Sequence, residues 1–176
     1  FIHRALALLY LSTRRIGEAE PHFKALAAEP GGQLALADYY TGGGNRDQAL
    51  AILGGVEGGS DKTDARAATL RIAAIEYSVG HKPDAYKIVD RAIQENPKFA
   101  DARVARSRML LMDNKPVEAP KEAQEAVKLA PGSVAANGQS PLDLQNALTH
   151  EFGHLIGLGH SCWNSFSDFE QPIDDM

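Results

Sequence analysis

His150 to His160 read His-Glu-Phe-Gly-His-Leu-Ile-Gly-Leu-Gly-His, which is the spacing H-E-x-x-H-x-x-G-x-x-H. These residue types could hold a catalytic zinc ion. His150 and His154 are i and i+4, so on a helix both imidazoles lie on one face, a turn apart. Two neutral imidazoles there can both reach one Zn²⁺ at about 2.0–2.1 Å. Glu151 flanks the first ligand and points beside the metal, where a carboxylate can take a proton from a metal-bound water. Gly157 can adopt φ > 0, so the helix can stop and the chain can turn back. That turn would bring His160 round as the third ligand. Three protein nitrogens leave a fourth tetrahedral position open, which suits a catalytic ion better than a structural one.

The residues before the motif supply a helix to carry it. Ser140 is a good N-cap, Pro141 suits the first helical position, and Asp143 stands where a capping-box acid belongs. Leu144, Leu148, Phe152 and Leu155 make an apolar stripe along one side. The expectation is one amphipathic helix over 141–156, with the ligands near its C-terminal end. The plain alternative is a helix whose histidines are solvated or satisfied by core hydrogen bonds.

The run from Leu144 to Ser161 resembles the active-site helix of the matrixin branch of the metzincin metallopeptidases. The Phe152-Gly153 pair and Ser161 directly after the third histidine are similar to bacterial matrixin-like sequences. The resemblance spans about 139–176. It implies a zinc endopeptidase, extracellular or periplasmic, with His150, His154 and His160 as zinc ligands and Glu151 as general base. Residues 1–138 do not supply the twisted sheet that precedes this helix in matrixins. The family also has a methionine turn under the metal, for which Met176 is the only candidate after the motif. The chain begins at Phe1 and stops at Met176, which leads us to expect either a fragment or two coding segments joined near 137–140.

Charge divides the chain at the same place. All 18 Lys and Arg residues lie at or before Lys128, and the last 48 residues hold none. From residue 139 onward the acids are Asp143, Glu151, Asp168, Glu170, Asp174 and Asp175, so the net charge of −5 belongs to the tail. Oxygen ligands of this kind could bind Ca²⁺; solvated charges near a chain end are the plainer expectation. Cys162, the single cysteine, could be a half-disulfide, a free thiol, or a fourth ligand that closes the zinc site as a structural one.

The front of the chain carries internal repeats. Ala19, Ala49, Ala85 and Ala119 recur at spacings of 30, 36 and 34 residues, each expected to begin the second helix of a helix-turn-helix unit. Tyr10, Tyr40 and Leu110 stand nine residues before three of them; in the third unit Tyr77 is one residue out of register. Apolar residues follow each alanine by four and seven positions, as Phe23 and Leu26 do after Ala19. Pro97 and Pro131 close the last two units, and Pro30 lies close to the equivalent place in the first. Gly42–Gly44, Gly54–Gly55 and Gly58–Gly59 should weaken the helices of the second unit.

This pattern resembles tetratricopeptide repeats, about four units over residues 1–135. The resemblance implies a protein or peptide ligand on a concave surface. The expected fold is therefore mainly α: helical-hairpin repeats over 1–137, then a partial metallopeptidase segment with an irregular tail over 138–176. A helical bundle of another kind is the alternative for the front. His3, His22 and His81 read as scattered surface or packing residues. No apolar run is long enough for a membrane span, and no signal peptide is visible. A near-neutral front and an acidic tail disfavour nucleic acid. The functional expectation is a zinc-dependent metalloendopeptidase on a protein-binding scaffold; the alternative is a non-enzymatic interaction module with an inactive metal motif.

Overall fold

The computed structural model describes residues 2–131. They are all helical apart from turns, in the order α1 (Ile2–Ser12), α2 (Ile16–Leu26), α3 (Gly32–Gly42), α4 (Arg46–Glu57), α5 (Lys62–Ser78), α6 (Lys82–Glu95), α7 (Ala100–Met112) and α8 (Ala119–Leu129). No strand occurs among the described residues. The mainly α fold expected from the sequence is what these residues form. None of their helices is long and apolar enough to cross a membrane.

The helices pair in chain order as hairpins, α1 with α2, α3 with α4, α5 with α6, and α7 with α8. Each hairpin also packs on the next. The odd helices α3, α5 and α7 touch one another in succession, so they line one side of the stack. Such an array buries its apolar faces only against neighbours. The core accordingly falls into two clusters. One runs from Ala7 through Phe23, Tyr40 and Leu53 to Ala68 and Ile75. The other runs from Ala73 and Tyr77 through Val89 to Ala102 and Met109. Helix α5 contributes to both and is their common wall.

The four turns within hairpins share one backbone solution. Arg14, Gly44, Gly80 and Asn114 have φ of 58°, 77°, 92° and 55°. In each case the next residue's N–H reaches back five positions: Arg15 to Tyr10 O (2.8 Å), Asn45 to Tyr40 O (2.8 Å), His81 to Glu76 O (3.0 Å) and Lys115 to Leu110 O (2.9 Å). The left-handed residue itself donates three positions back, to Leu11, Thr41, Tyr77 and Leu111. This is the Schellman pattern, which satisfies carbonyls that a helix end would leave open. Each left-handed residue stands five positions before one of the four repeated alanines.

Those alanines are at most 1% exposed. Only Ala119 opens its helix, however. Ala19, Ala49 and Ala85 are fourth residues of α2, α4 and α6, because Ile16, Arg46 and Lys82 already follow the turn in helical conformation. Twelve residues before the four alanines stand Ala7, Ala37, Ala73 and Ser107, all nearly inaccessible. Small residues on both helices of a hairpin let the backbones approach. The Ser107 Oγ donates to the Ala119 carbonyl at 2.7 Å, across that approach.

The second unit is complete despite its glycines. Gly54 and Gly55 lie inside α4, whose Leu53 is fully buried. Tertiary burial here outweighs the helix propensity that glycine forfeits. Gly44 serves the left-handed turn position, which glycine adopts without strain. At the hinge between the first two hairpins, a Cβ on Gly32 would overlap the backbone carbonyl of Leu26, so the close approach of α3 to the end of α2 depends on glycine. Helix α5 starts on Asp61, whose carboxylate accepts from Thr63 N at 2.8 Å and Asp64 N at 3.1 Å, an N-cap that answers two otherwise open donors.

Candidate functional site

The zinc motif, with His150, Glu151, His154 and His160, lies outside the described residues. So do its N-cap Ser140, Cys162, Met176 and the acids considered for Ca²⁺. Among the described residues, no group of three or more His, Cys, Asp or Glu side chains converges on a point where a metal could sit. The candidate surface that can be described is the side of the stack formed by the odd helices.

That side has its own chemistry. Helices α1, α5 and α7 carry Arg4, Arg66, Arg71, Arg103, Arg106 and Arg108, whereas the even helices have only Arg46 and Arg91 and use lysine elsewhere. Guanidinium groups can hold position through several hydrogen bonds at once, and they stack on rings. Arg71 makes both uses of its fork on Asp38, at 2.8 Å and 3.0 Å, and so ties α5 to α3. Burial raises the Asp38 pKa, while the hydrogen bonds from Arg71 pull it down. Arg106 donates to Asp90 at 2.7 Å and to Glu122 at 2.5 Å, and Arg103 reaches the same Glu122 at 3.1 Å. Arg66 lies over the Phe99 ring, 5.8 Å from its centre. Arg71–Asp38, Arg106–Asp90 and Arg66–Phe99 link neighbouring hairpins, whereas the two contacts to Glu122 join α7 to α8 within the fourth.

Two further clusters rest on single carboxylates. Glu76 accepts from Arg46 at 2.7 Å, and its other oxygen is 2.7 Å from His81 Nδ1. The Arg46 hydrogen bond, then the His81 contact, lower the Glu76 pKa. Glu76 occupies the place that Tyr10, Tyr40 and Leu110 hold in the other turns, which explains why Tyr77 reads one residue out of register. The third unit uses an ion pair where the others use an apolar side chain. Asp113 receives Lys82 Nζ at 2.5 Å, Tyr77 Oη at 2.8 Å and Tyr86 Oη at 2.9 Å. Lys82 first, and the Tyr77 hydroxyl second, hold its carboxyl down at about 2. Burial, followed by the bond to Asp113, pushes both tyrosine hydroxyls well above their ordinary range.

His3 and His22 read as unrelated in the sequence, yet the first hairpin brings their rings together, with Nδ1 atoms 2.9 Å apart. No signal in the sequence marks the pair, since it depends on how α1 crosses α2. The small residues Ala7, Ala37, Ala73 and Ser107 likewise escape the sequence reading, although their constant offset from the repeated alanines is present there. Exposed apolar side chains include Ile2, Leu8 and Leu9 on α1, Val79 between α5 and α6, and Met112 and Val117 at the close of α7 and beyond it.

No protein-family model matches the chain, and no curated protein matches it significantly.

Proposed function

We propose that the chain is a zinc-dependent metalloendopeptidase whose active-site segment, His150 to His160, is joined to a helical-repeat scaffold that binds protein. The observation that carries this reading is the fixed spacing of three histidines, one glutamate and one glycine. The donor set fits Zn²⁺: three imidazoles give borderline-soft nitrogen ligands and stop short of closing a tetrahedron. Bound zinc would supply Lewis acidity, lowering the pKa of a coordinated water toward about 7 and polarising a peptide carbonyl. Glu151 would accept a proton at its carboxylate and later return it to the leaving amine. His150, His154 and His160 would stay neutral to serve as ligands. The scaffold would present polypeptide along its odd-helix side, where arginines are concentrated. The class of reaction is peptide-bond hydrolysis, in an extracellular or periplasmic setting by family resemblance. The test is hydrolysis of casein or an internally quenched peptide by the full chain, abolished by a chelator and restored by added Zn²⁺.

The described residues favour one second reading. They form a packed array of hairpins whose ion pairs link helix to helix, which suits a non-enzymatic interaction module. That module would capture partner peptides equally well with and without chelator, and would show no hydrolysis.

A further inference from the structure

Each hairpin after the first docks its odd helix on the even helix before it. Three contacts locate the face that is used. The Tyr39 ring of α3 stacks on Phe23 of α2, with centres 4.9 Å apart. A Cβ on Gly32 of α3 would meet the Leu26 carbonyl of α2. On α5, the Thr69 hydroxyl donates to Glu57 of α4 at 2.8 Å. Gly32 and Tyr39 lie five residues before and two residues after Ala37. At the same offsets from Ala73 and Ser107 stand Ala68 with Ile75 and Ala102 with Met109, all nearly inaccessible. At those offsets from Ala7 stand Ile2 and Leu9, which are 70% and 52% exposed. Helix α1 therefore carries the docking face of an odd helix, with a larger residue at the close approach and no helix covering it.

The opposite end of the stack carries the complementary face. Four residues after the recurring alanines, Phe23, Leu53 and Val89 are buried in cores shared with the next hairpin. Ala123 of α8 holds the same place and is only half-buried. Val127, at the place of Glu57, is half-buried too. Side-chain sizes at the two ends are complementary. Inside the array the even helix offers a large residue, and the odd helix a glycine or alanine at the close approach. At the ends this is reversed, with Ala123 on α8 and Ile2 on α1. A joint between α8 and α1 would hold about the same side-chain volume as the joints within the array, as close packing requires.

We infer that α1 of one copy of this chain docks on α8 of a second copy, continuing the hairpin array head to tail. The joint reuses, in register, the contact that the chain already makes three times within itself, and one molecule supplies both halves of it. Burial of Ile2 and Leu9 is the driving force. The contact is heterologous: each copy in a pair keeps one face open, so association extends to longer linear assemblies. A single helix-on-helix joint falls at the small end of protein interfaces, so the association is weak and depends on concentration. The inference does not rest on the peptidase reading.

The test is sedimentation velocity of the chain from about 1 µM to about 1 mM. A chelator is present throughout, so that no metal at His150–His160 bridges copies. The parent should sediment faster as concentration rises, beyond the value of a dimer. Leu9→Glu and Ala123→Glu each block one face and leave the other intact, so each alone should associate at least tenfold more weakly. An equal mixture of the two should form a dimer and nothing larger, because one joint between intact faces is restored. Far-UV circular dichroism checks that the variants keep their helices, and Val127→Glu replaces Ala123→Glu if that variant loses them. A parent that stays monomeric at the highest concentration, as it would if residues 132–176 covered α8 in the same chain, would overturn the inference. So would association that survives Leu9→Glu, or a mixture that fails to pair.

Discussion

The Ser107 hydroxyl and the Ala119 carbonyl meet at 2.7 Å where α7 crosses the start of α8. The other three hairpins place Ala7, Ala37 and Ala73 at the position of Ser107, and Ala19, Ala49 and Ala85 at that of Ala119. A hydroxyl is tolerated there because it has an acceptor, and nothing larger fits. Ser107→Ala should cost about 0.5–1.5 kcal/mol, the usual net loss of one hydrogen bond. Ser107→Leu should cost more, about 1–3 kcal/mol or above, because extra methylenes would force the backbones apart. Urea denaturation of both variants measures the order; equal stability of Ser107→Leu and parent would refute the close crossing.

Glycines in this chain should respond in opposite ways to alanine. At Gly32 a Cβ meets the Leu26 backbone, so Gly32→Ala should destabilise by about 1–3 kcal/mol. Gly54 and Gly55 sit inside α4 with no atom near where a Cβ would go. Changing both to Ala should raise stability by roughly 1–2 kcal/mol, since alanine favours a helix by about 1 kcal/mol per site. Thermal melts of the two variants should therefore move in opposite directions.

Asp113 should make the third and fourth hairpins acid-sensitive. Its carboxyl titrates at about 2 in the folded chain, below the ordinary value of about 3.9. A depressed folded pKa stabilises the fold above the unfolded value, and that contribution is lost as pH falls from about 4 to about 2. Asp113→Asn should remove this portion of the pH dependence. Asp113→Ala should cost about 1–3 kcal/mol at neutral pH, although Tyr77 retains the Met109 carbonyl as an acceptor at 3.2 Å. Denaturation midpoints of parent and Asp113→Asn, compared between pH 2 and 5, provide the check.

Glu151→Gln isolates the proposed general base. The amide cannot accept the proton, yet it leaves His150, His154 and His160 in place. Peptide hydrolysis should fall by about 10²–10⁴-fold with zinc content unchanged. Full activity in this variant would remove Glu151 from the role.

Much of the helical-hairpin array is legible because burial and turn chemistry leave marks in the sequence. Ala19, Ala49, Ala85 and Ala119 recur since only a small side chain fits a helix crossing. The matching series Ala7, Ala37, Ala73 and Ser107 is harder to see. Alanines such as Ala5, Ala35 and Ala74 crowd the same helices, and one member of the series is a serine. The helix starts at Ile16, Arg46 and Lys82 come earlier than the alanine spacing suggests. The turn before each is set by a left-handed residue that need not be glycine, as Arg14 and Asn114 show. Tyr77 looks misplaced because Glu76 replaces an apolar residue with an ion pair, which pattern alone cannot anticipate. The His3–His22 contact depends on crossing geometry and leaves no trace in the sequence. The metal motif is the reverse case. Its chemistry is legible from spacing alone, while its residues fall outside those the structure describes.

The central claim is that His150, His154 and His160 form a zinc site, and zinc content per chain tests it most directly. Purified protein and a His154→Ala control should be assayed after identical dialysis. One zinc per chain in the parent and none in the control is the predicted result. No zinc in either, with the helical signal intact, would contradict the claim and leave the repeat array as an interaction module.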